Sequence, residues 1–586
     1  MLKTLLFKIC TASLLITAMQ IETALFAQTP SSEIRLNQVG FYPAGPKIAV
    51  IAGDKPTSFE IINATSGKSV FKGKLGERLT SQHSGKLTSI ADFSSISKPG
   101  KYIVSVAGLG KSASFEIKPK VHRNVAEASL KGFYYQRVST DLPEKFAGKW
   151  ARPAGHPDNK VFIHPSAVSE GRPENFVISA PKGWYDAGDY NKYIVNSGIT
   201  MGTLLSLYED YPQYFENFNI NIPESENSIP DLLDEVIWNL RWMLAMQDPA
   251  DGGVYHKLTN PRFDGMIMPA AADKSRYVVQ KNTIATLDFV AVMAQAGRIL
   301  KGFENKLPGL SDSCLVASVK GWEWAKKNPE VYYQQDEMNK KFDPDVVTGA
   351  YGDRNAADEW IWAAAEMYAT TGKADYLKGI DLKTNSPMPL PTWSMVQALG
   401  YYTLLRSAES LKTEASLLDP VRKSVTAFSD GLLKDLEKQP YHTVMGKNAK
   451  DYAWGSSSVA ANQGIALLYT FKLSKDKKYL HAALGNLDYL LGRNATTYCF
   501  LTGFGSKKVM HPHHRPSIAD GIVDPIPGLL SGGPNPGQQD KCTTYTSKFA
   551  DESFTDDDCS YASNEIAINW NAPMVYLAAA IEAIMQ

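Results

Sequence analysis

Residues 230–247, PDLLDEVIWNLRWMLAMQ, bring apolar side chains back every three or four positions, the interval that lines one face of an α-helix. The stretch 281–300 reads the same way. Further helical periodicity runs through 123–138, 191–209, 310–327, 356–371, 391–411, 416–436, 457–473, 475–492 and 572–585. With short pieces counted this makes about a dozen helices, a number that suits a closed array of helical hairpins, so the chain after Pro119 is expected to be all-helical. Two long irregular segments, 140–185 and 493–562, interrupt the helices. Structureless loops of that length in a compact domain usually carry function, so the chemistry is expected there.

Upstream of the helices the pattern changes. From Ile34 to about Lys118, short β-type runs such as KIAVIAG, SFEIINA and KYIVSVAG alternate with Gly, Pro, Asn and Ser punctuation, which reads as a small β-sandwich over 33–118. Its alternating runs are explained by packing as a brace against a helical domain spanning 122–586. The extreme N-terminus, MLKTLLFK followed by apolar Ile9–Met19 and the small residue Ala27, has the order of a secretory signal over 1–27. The apolar run is too short for a membrane span, so a periplasmic or secreted protein is expected, without membrane attachment.

Lys plus Arg and Asp plus Glu both total 61, leaving no excess charge to attract a nucleic-acid backbone or an anionic membrane. The composition suits a monomer with a large core. The 11 Trp and 28 Tyr include flat faces that stack on sugar rings, although large helical cores also use such residues. Past the signal, Cys314, Cys499, Cys542 and Cys559 remain; Cys542 and Cys559 could close a short loop, which spacing alone leaves open. No CxxC pair supports a zinc cluster.

Three segments carry candidate chemistry. In Gly183-Trp184-Tyr185-Asp186-Ala187-Gly188-Asp189-Tyr190, two carboxylates lie three residues apart before a helical run. Either could be a helix N-cap, or the pair could orient and deprotonate one water. In the segment from Phe554 to Pro573, Glu565 is set among Ile566, Ile568 and Trp570, surroundings that would keep a carboxyl group protonated as an acid. The third, His511-Pro512-His513-His514-Arg515-Pro516-Ser517, offers three imidazoles. The prolines and the adjacent cation favour a rigid loop that binds sugar hydroxyls through His513 and Arg515 over a zinc site.

Together these segments resemble glycoside hydrolase family 9 over nearly all of the chain beyond the signal. The His513-x-Arg515 pair ends one family signature, with Cys499 where Ser, Thr or Val is usual. A second signature is matched from Phe554 to Ala572 at Asp556, Tyr561, Glu565, Asn571 and Ala572, while Asp186–Asp189 resembles the family's base motif. IRLNQVGFYP resembles the opening strand of the immunoglobulin-like module that precedes many such catalytic domains. The resemblance implies an all-α (α/α)6 barrel behind a small immunoglobulin-like sandwich. It implies Asp189 as general base, Asp186 as its water-positioning partner, Glu565 as general acid, and His513, Arg515 and Asp556 as supporting residues. Trp184, Tyr185, Trp360 and Trp454 are candidate sugar platforms. The reaction implied is inverting endo-hydrolysis of β-1,4-glucosidic bonds in a plant β-glucan of the cellulose, mixed-linkage or xyloglucan type, with soluble, partly digested polysaccharide favoured over crystalline cellulose. The rivals are an exo-acting β-glucosidase, a glycan-binding protein without catalysis, and a metal-dependent hydrolase using the His cluster. The chemistry calls for no cofactor. Tyr351–Glu359 resembles a place where relatives bind a structural calcium, with Asp358 and Glu359 as ligands, and helix capping by Asp358 is the equal rival.

Overall fold

The computed structural model describes residues 29–382 and 387–586; the export signal read over 1–27 lies outside the described residues. The N-terminal sandwich consists of two sheets. Ile48–Ala52 pairs with Ile34–Arg35 and Leu87–Asp92, and Arg78–Thr80 forms the far edge. Facing them, Gly100–Val106 lies between Phe115–Ile117 and Ser58–Asn63, with Gly40–Phe41 and Ser69–Lys74 outside. Alternate residues of Gly100–Val106 point inward, as the two-residue period of a strand requires. The phenyl rings of Phe93 and Phe115 stand edge-on to Phe41 at 5.4 and 5.3 Å in the core between the sheets.

Polar contacts join the sandwich to the helical domain. Asn37 donates to Asp488 at 2.8 Å, Arg35 to the Tyr441 hydroxyl at 2.8 Å, and Tyr42 to Glu582 at 2.5 Å. All six residues are buried, so these bonds are shielded from competing water.

Eleven helices of eleven or more residues follow: α1 (Arg123–Tyr135), α2 (Ile194–Asp210), α3 (Asp231–Ala245), α4 (Thr283–Leu300), α5 (Leu310–Lys327), α6 (Ala357–Thr371), α7 (Gln397–Ser407), α8 (Ala415–Leu433), α9 (Ser456–Ser474), α10 (Lys477–Leu490) and α11 (Ile568–Met585). Local chemistry fixes several ends. The Asn282 side chain accepts from Ala285 N–H at the start of α4, and Gly372 adopts the left-handed conformation that closes α6. Helices α2, α4, α6, α7, α9 and α11 are buried nearly all round and form the inner ring of the barrel. Between α7 and α9 the ring is closed by Tyr402 and Tyr469, stacked at 3.8 Å. Helices α1, α3, α5, α8 and α10 form the outer layer. Where a sixth outer helix would fall, between α6 and α7, the described chain makes only a 3-10 turn, Ala374–Leu377. Residues Thr283–Phe303 are long and apolar enough to cross a membrane, but 94% of the apolar window is buried within the barrel.

The expectation of an all-helical remainder needs one correction. A sheet of five short strands, in the order Val177–Ile178, Val161–Ile163, Arg276–Val278, Lys257–Thr259 and Lys192–Tyr193, sits at the mouth beside α2. Strands of two or three residues are too short to show a period in sequence. Their last member, Lys192–Tyr193, leads directly into α2 from the Asp186–Asp189 segment.

Candidate active site

Backbone pairing draws three distant segments together at the barrel mouth. Ile568 N–H donates to Asp186 C=O at 2.8 Å, His513 N–H to Asn564 C=O at 2.9 Å, and Arg515 N–H to Gly188 C=O at 3.2 Å. The Arg515 guanidinium adds a second bond to the Gly188 carbonyl at 2.7 Å. Glycine is required at position 188 because a Cβ there would lie 2.2 Å from the His513 carbonyl oxygen. These bonds set Asp186, Asp189 and Glu565 around one cavity of about 340 Å³.

The carboxyl groups differ in environment. Asp186 accepts from the Asn196 amide at 3.0 Å on each oxygen and from the Tyr351 hydroxyl at 3.0 Å. Burial, then the neighbouring Asp189, raises it well above the usual carboxylate range. Among the described residues the hydrogen bonds to Asp189 fall on Oδ2: the Asn191 amide at 2.5 Å, the Asn191 N–H at 3.3 Å and the Tyr193 hydroxyl at 3.2 Å. Asn191 is itself held, its carbonyl accepting from Thr259 and the Asn260 N–H. Glu565 is partly exposed on the cavity, yet protein encloses its carboxyl group. Desolvation first, then Asp189 and Asp186, push it well above the ordinary Glu value, against the opposing pull of Arg515 and the Gly188 N–H. Neither aspartate is a helix cap, since α2 is preceded by Tyr193 without a side-chain cap bond.

The histidines diverge. His513 Nδ1 meets the Asp558 carbonyl at 2.6 Å, whereas buried His514 bonds Gln136 and Ser517, and His511 is exposed. Their differing partners do not make a zinc set. Arg515 is buried, donating also to the Asp264 carbonyl at 3.0 Å. Asp556 does not line the cavity; its carboxylate accepts from the Met510 and His511 N–H groups at 2.9 Å and so anchors the loop that presents His513.

The aromatic candidates separate. Trp454 is 45% exposed and lines the cavity. The other three do not line it. Trp184 is fully buried, with its ring on Phe133 at 4.7 Å and its N–H on Glu235. Tyr185 is buried with its hydroxyl on His156 at 2.8 Å. Trp360 packs edge-on against Trp322 at 5.0 Å. Trp393, Trp570, Phe263 and Tyr351 line the cavity in their place, with Asn569, whose Oδ1 has no protein partner among the described residues. Asn191 and Tyr193 follow Asp189 so closely that spacing could have marked them, whereas nothing in the sequence near Trp393 or Phe263 signals a cleft.

Asp358 and Glu359 lie at the start of α6. One Asp358 oxygen accepts from the Val396 N–H at 2.6 Å, while its other oxygen and both oxygens of buried Glu359 lack hydrogen-bond partners among the described residues. Buried Asp288 on α4 likewise has two unpartnered oxygens, and Asp353 has one. Burial and mutual repulsion raise Asp288 and Glu359 well above the usual range, and Asp358 is pushed up to about 6. These oxygen donors are of the type that a hard divalent cation takes, although their oxygens do not close into a group with all atoms within 4.8 Å of one another. Elsewhere, Cys542 and Cys559 form a disulfide with Cα atoms 5.8 Å apart, and Cys314 and Cys499 are buried free thiols.

A helical barrel whose mouth sets carboxyl groups in unlike environments among aromatic faces has the architecture of a glycoside hydrolase. The sequence matches the family model for glycosyl hydrolase family 9 over residues 122–578 and that of the cellulase N-terminal ig-like domain over residues 29–111. It is 47% identical over 557 residues to a xyloglucan-specific endo-beta-1,4-glucanase of Bacteroides ovatus, covering 95% of this chain and 94% of that protein. It is 33% identical to endoglucanase D of Acetivibrio thermocellus over 552 residues, 93% of this chain and 82% of that one. A solved Bacteroides ovatus family 9 structure superposes with a TM-score of 0.90 at 46% identity, covering 95% of this chain and all of that one. The chain belongs to glycosyl hydrolase family 9.

Proposed function

We propose that this protein is an endo-acting β-1,4-glucanase that cuts a branched plant β-glucan of the xyloglucan type, with inversion at the anomeric carbon. The observation that carries the reading is the division of labour among the carboxyl groups. Asp189 receives its protein hydrogen bonds on one oxygen, leaving Oδ1 for a water. Asp186, fixed by Asn196 and Tyr351, stands beside it to orient that water. Glu565, desolvated and near two other carboxyl groups, holds its proton for the leaving glycosidic oxygen. Asp189 takes a proton from water as it attacks one face of the sugar, and Glu565 donates on the other, so no covalent intermediate forms. The xyloglucan preference is supported by 47% identity to a xyloglucan-specific relative. Endo action is supported by the endoglucanases among the relatives and by the exposed aromatics Trp454 and Phe263 on the cleft.

A calcium ion at Asp358, Glu359 and Asp288 belongs to the same reading. It would neutralise carboxylates that otherwise repel, and its part is structural, tying the start of α6 to α4. Export is supported by the N-terminal sequence and by the Cys542–Cys559 disulfide, which suits an oxidising compartment.

Proton NMR of the anomers released early from xyloglucan, mixed-linkage glucan and soluble cellulose, with Glu565→Gln as control, tests the proposal. Polymer cleavage that yields first-formed α-anomers and is lost in the control is the expected result. First-formed β-anomers would overturn inversion, and release of single glucose units from chain ends would overturn endo action.

A further inference from the structure

One wall of the cleft is a turn, residues 260–267, whose backbone is fastened while its apolar side chains face solvent. The fastenings are numerous. Asn260 N–H donates to the Asn191 side chain at 2.9 Å, and the Pro261 carbonyl accepts from Val347 N–H at 2.8 Å. The Phe263 carbonyl accepts from Lys274 at 2.7 Å, that of Asp264 from Arg515 at 3.0 Å and that of Ile267 from the Tyr190 hydroxyl at 2.5 Å. Three of these partners belong to the catalytic machinery or its immediate neighbours: Asn191 holds Asp189, Arg515 faces Glu565, and Tyr190 follows Asp189 in the chain. The turn is therefore fixed relative to the reacting carboxyl groups.

From this fixed backbone Phe263, Met266 and Ile267 project 44%, 43% and 36% exposed, and Val347, hydrogen-bonded across to Pro261, is 45% exposed. Phe263 lines the cleft and carries the Arg515 guanidinium near its ring, 5.7 Å from the centroid. A clustered apolar surface of this kind marks a binding face, and it is continuous with the catalytic cleft through Phe263. A linear glucan chain presents its sugar faces to platforms such as Trp393 and Trp454 and its hydroxyl-bearing edges sideways. Those edges call for polar partners, which exposed Arg262 and the Lys274–Asp264 pair at 3.1 Å offer on this turn, whereas Phe263, Met266 and Ile267 offer apolar surface. Branch sugars on the 6-hydroxyl groups project beyond the edge and bring apolar C–H faces of their own.

We propose that Phe263, Met266 and Ile267, with Val347 beside them, form an apolar ledge that seats the pendant sugars of a branched β-glucan and sets the preference for branched over unbranched chains. The ledge rests on the proposed xyloglucan reading. Phe263 supplies a flat stacking face, and Met266 a flexible one that adapts to branches at differing positions. Because the backbone is held, binding orders side chains only.

The test compares kcat/KM on xyloglucan and on unbranched mixed-linkage glucan for the full chain, Phe263→Ala, and the double variant Met266→Ser with Ile267→Ser. Binding of a xyloglucan oligosaccharide is measured in the same variants on the Glu565→Gln background. Each variant is expected to lower the xyloglucan-to-mixed-linkage ratio about fivefold to tenfold and to weaken oligosaccharide binding comparably, with the melting temperature unchanged because these side chains are exposed. An unchanged ratio in variants of a parent that cuts xyloglucan would overturn the ledge and leave the substrate reading standing. A parent that cuts only the unbranched polymer would overturn both.

Discussion

At the start of α2 lie Asp186 and Asp189, with Glu565 across the cavity; at its end lie Glu209 and Asp210. Both groups are largely buried, and their surroundings are opposite. At the mouth, acidic groups face one another with Arg515 as the nearby cation, and Asp186 and Glu565 are raised. At the closed end, burial would raise Asp210 too, but Arg406 and Lys472 outweigh it and hold the carboxylate below its usual range. Asp210 also accepts from the Tyr469 and Tyr576 hydroxyls at 2.6 and 2.5 Å, and Glu209 bonds both Arg298 and Arg406. One end of α2 therefore carries carboxylates paired with cations, while the segment leading into its other end carries acids that face one another, the arrangement expected where a site is kept for chemistry.

The comparison is tested most severely at the mouth. Glu565→Gln keeps the shape and removes the proposed proton donor, so kcat/KM on polymer is expected to fall about a thousandfold. A substrate whose leaving group needs no protonation should lose much less. Stability should not fall in parallel, because Gln is neutral and nearly the same shape as the protonated carboxyl group it replaces. A loss of stability with little loss of rate would mean that the mouth had been misassigned.

Breaking the closed end should do the reverse. Arg406→Met removes the cation that Asp210 and Glu209 share and leaves them Lys472 and Arg298, a loss of about 3 kcal/mol in denaturant unfolding at neutral pH, the low end for breaking a buried pair. The pH dependence has a definite sign. Asp210 is depressed in the folded state, so its stabilisation is present above the unfolded value of about 3.9 and is lost as pH falls toward the folded value. The gap between parent and variant should therefore narrow in acid.

The acidic cluster at Asp288, Asp358 and Glu359 resembles the mouth in its unpartnered oxygens but lies off the cavity, which makes it the control for the comparison. Calcium at a hundredfold excess over its dissociation constant should add about 2.7 kcal/mol of stability, visible as a rise in Tm that a chelator reverses. Glu359→Gln should remove that response. A Tm indifferent to calcium in the parent would leave the cluster's raised carboxyl groups as neutral core acids.

The helices were legible because inner and outer faces impose a period on many residues at once, and observed ends such as Leu310–Lys327 match the periodicity. Asp186, Asp189 and Glu565 were legible as motifs, and their convergence followed from the family resemblance. Trp184 and Tyr185 were misread as platforms because proximity to Asp186 in sequence says nothing about which way a ring faces. Here both rings turn into the core. Phe263 and Trp393 escaped notice for the converse reason: loops far apart in sequence bring them to the cleft. Between α6 and α7 the described residues make a short turn where a sixth outer helix would fall, and no period marks it.

The finest distinction between the two ends concerns Arg515, the cation that bears on Glu565 at the mouth. Arg515 pulls Glu565 down while desolvation and two aspartates push it up, so its charge sets where the acid loses its proton. Arg515→Gln removes that pull, and the basic limb of the kcat/KM profile should move to higher pH. The height of the profile will fall as well, because the guanidinium also secures the Gly188 and Asp264 carbonyls. Only the position of the limb separates electrostatics from scaffolding. If the limb stays in place while the maximum drops, Arg515 acts as a backbone clamp, and the acid's high pKa owes nothing to the restraint of a nearby cation. If it moves upward, the mouth is a weaker version of the closed end: Arg515 offsets part of the push from burial and two aspartates, enough to hold Glu565 within working range without ionising it.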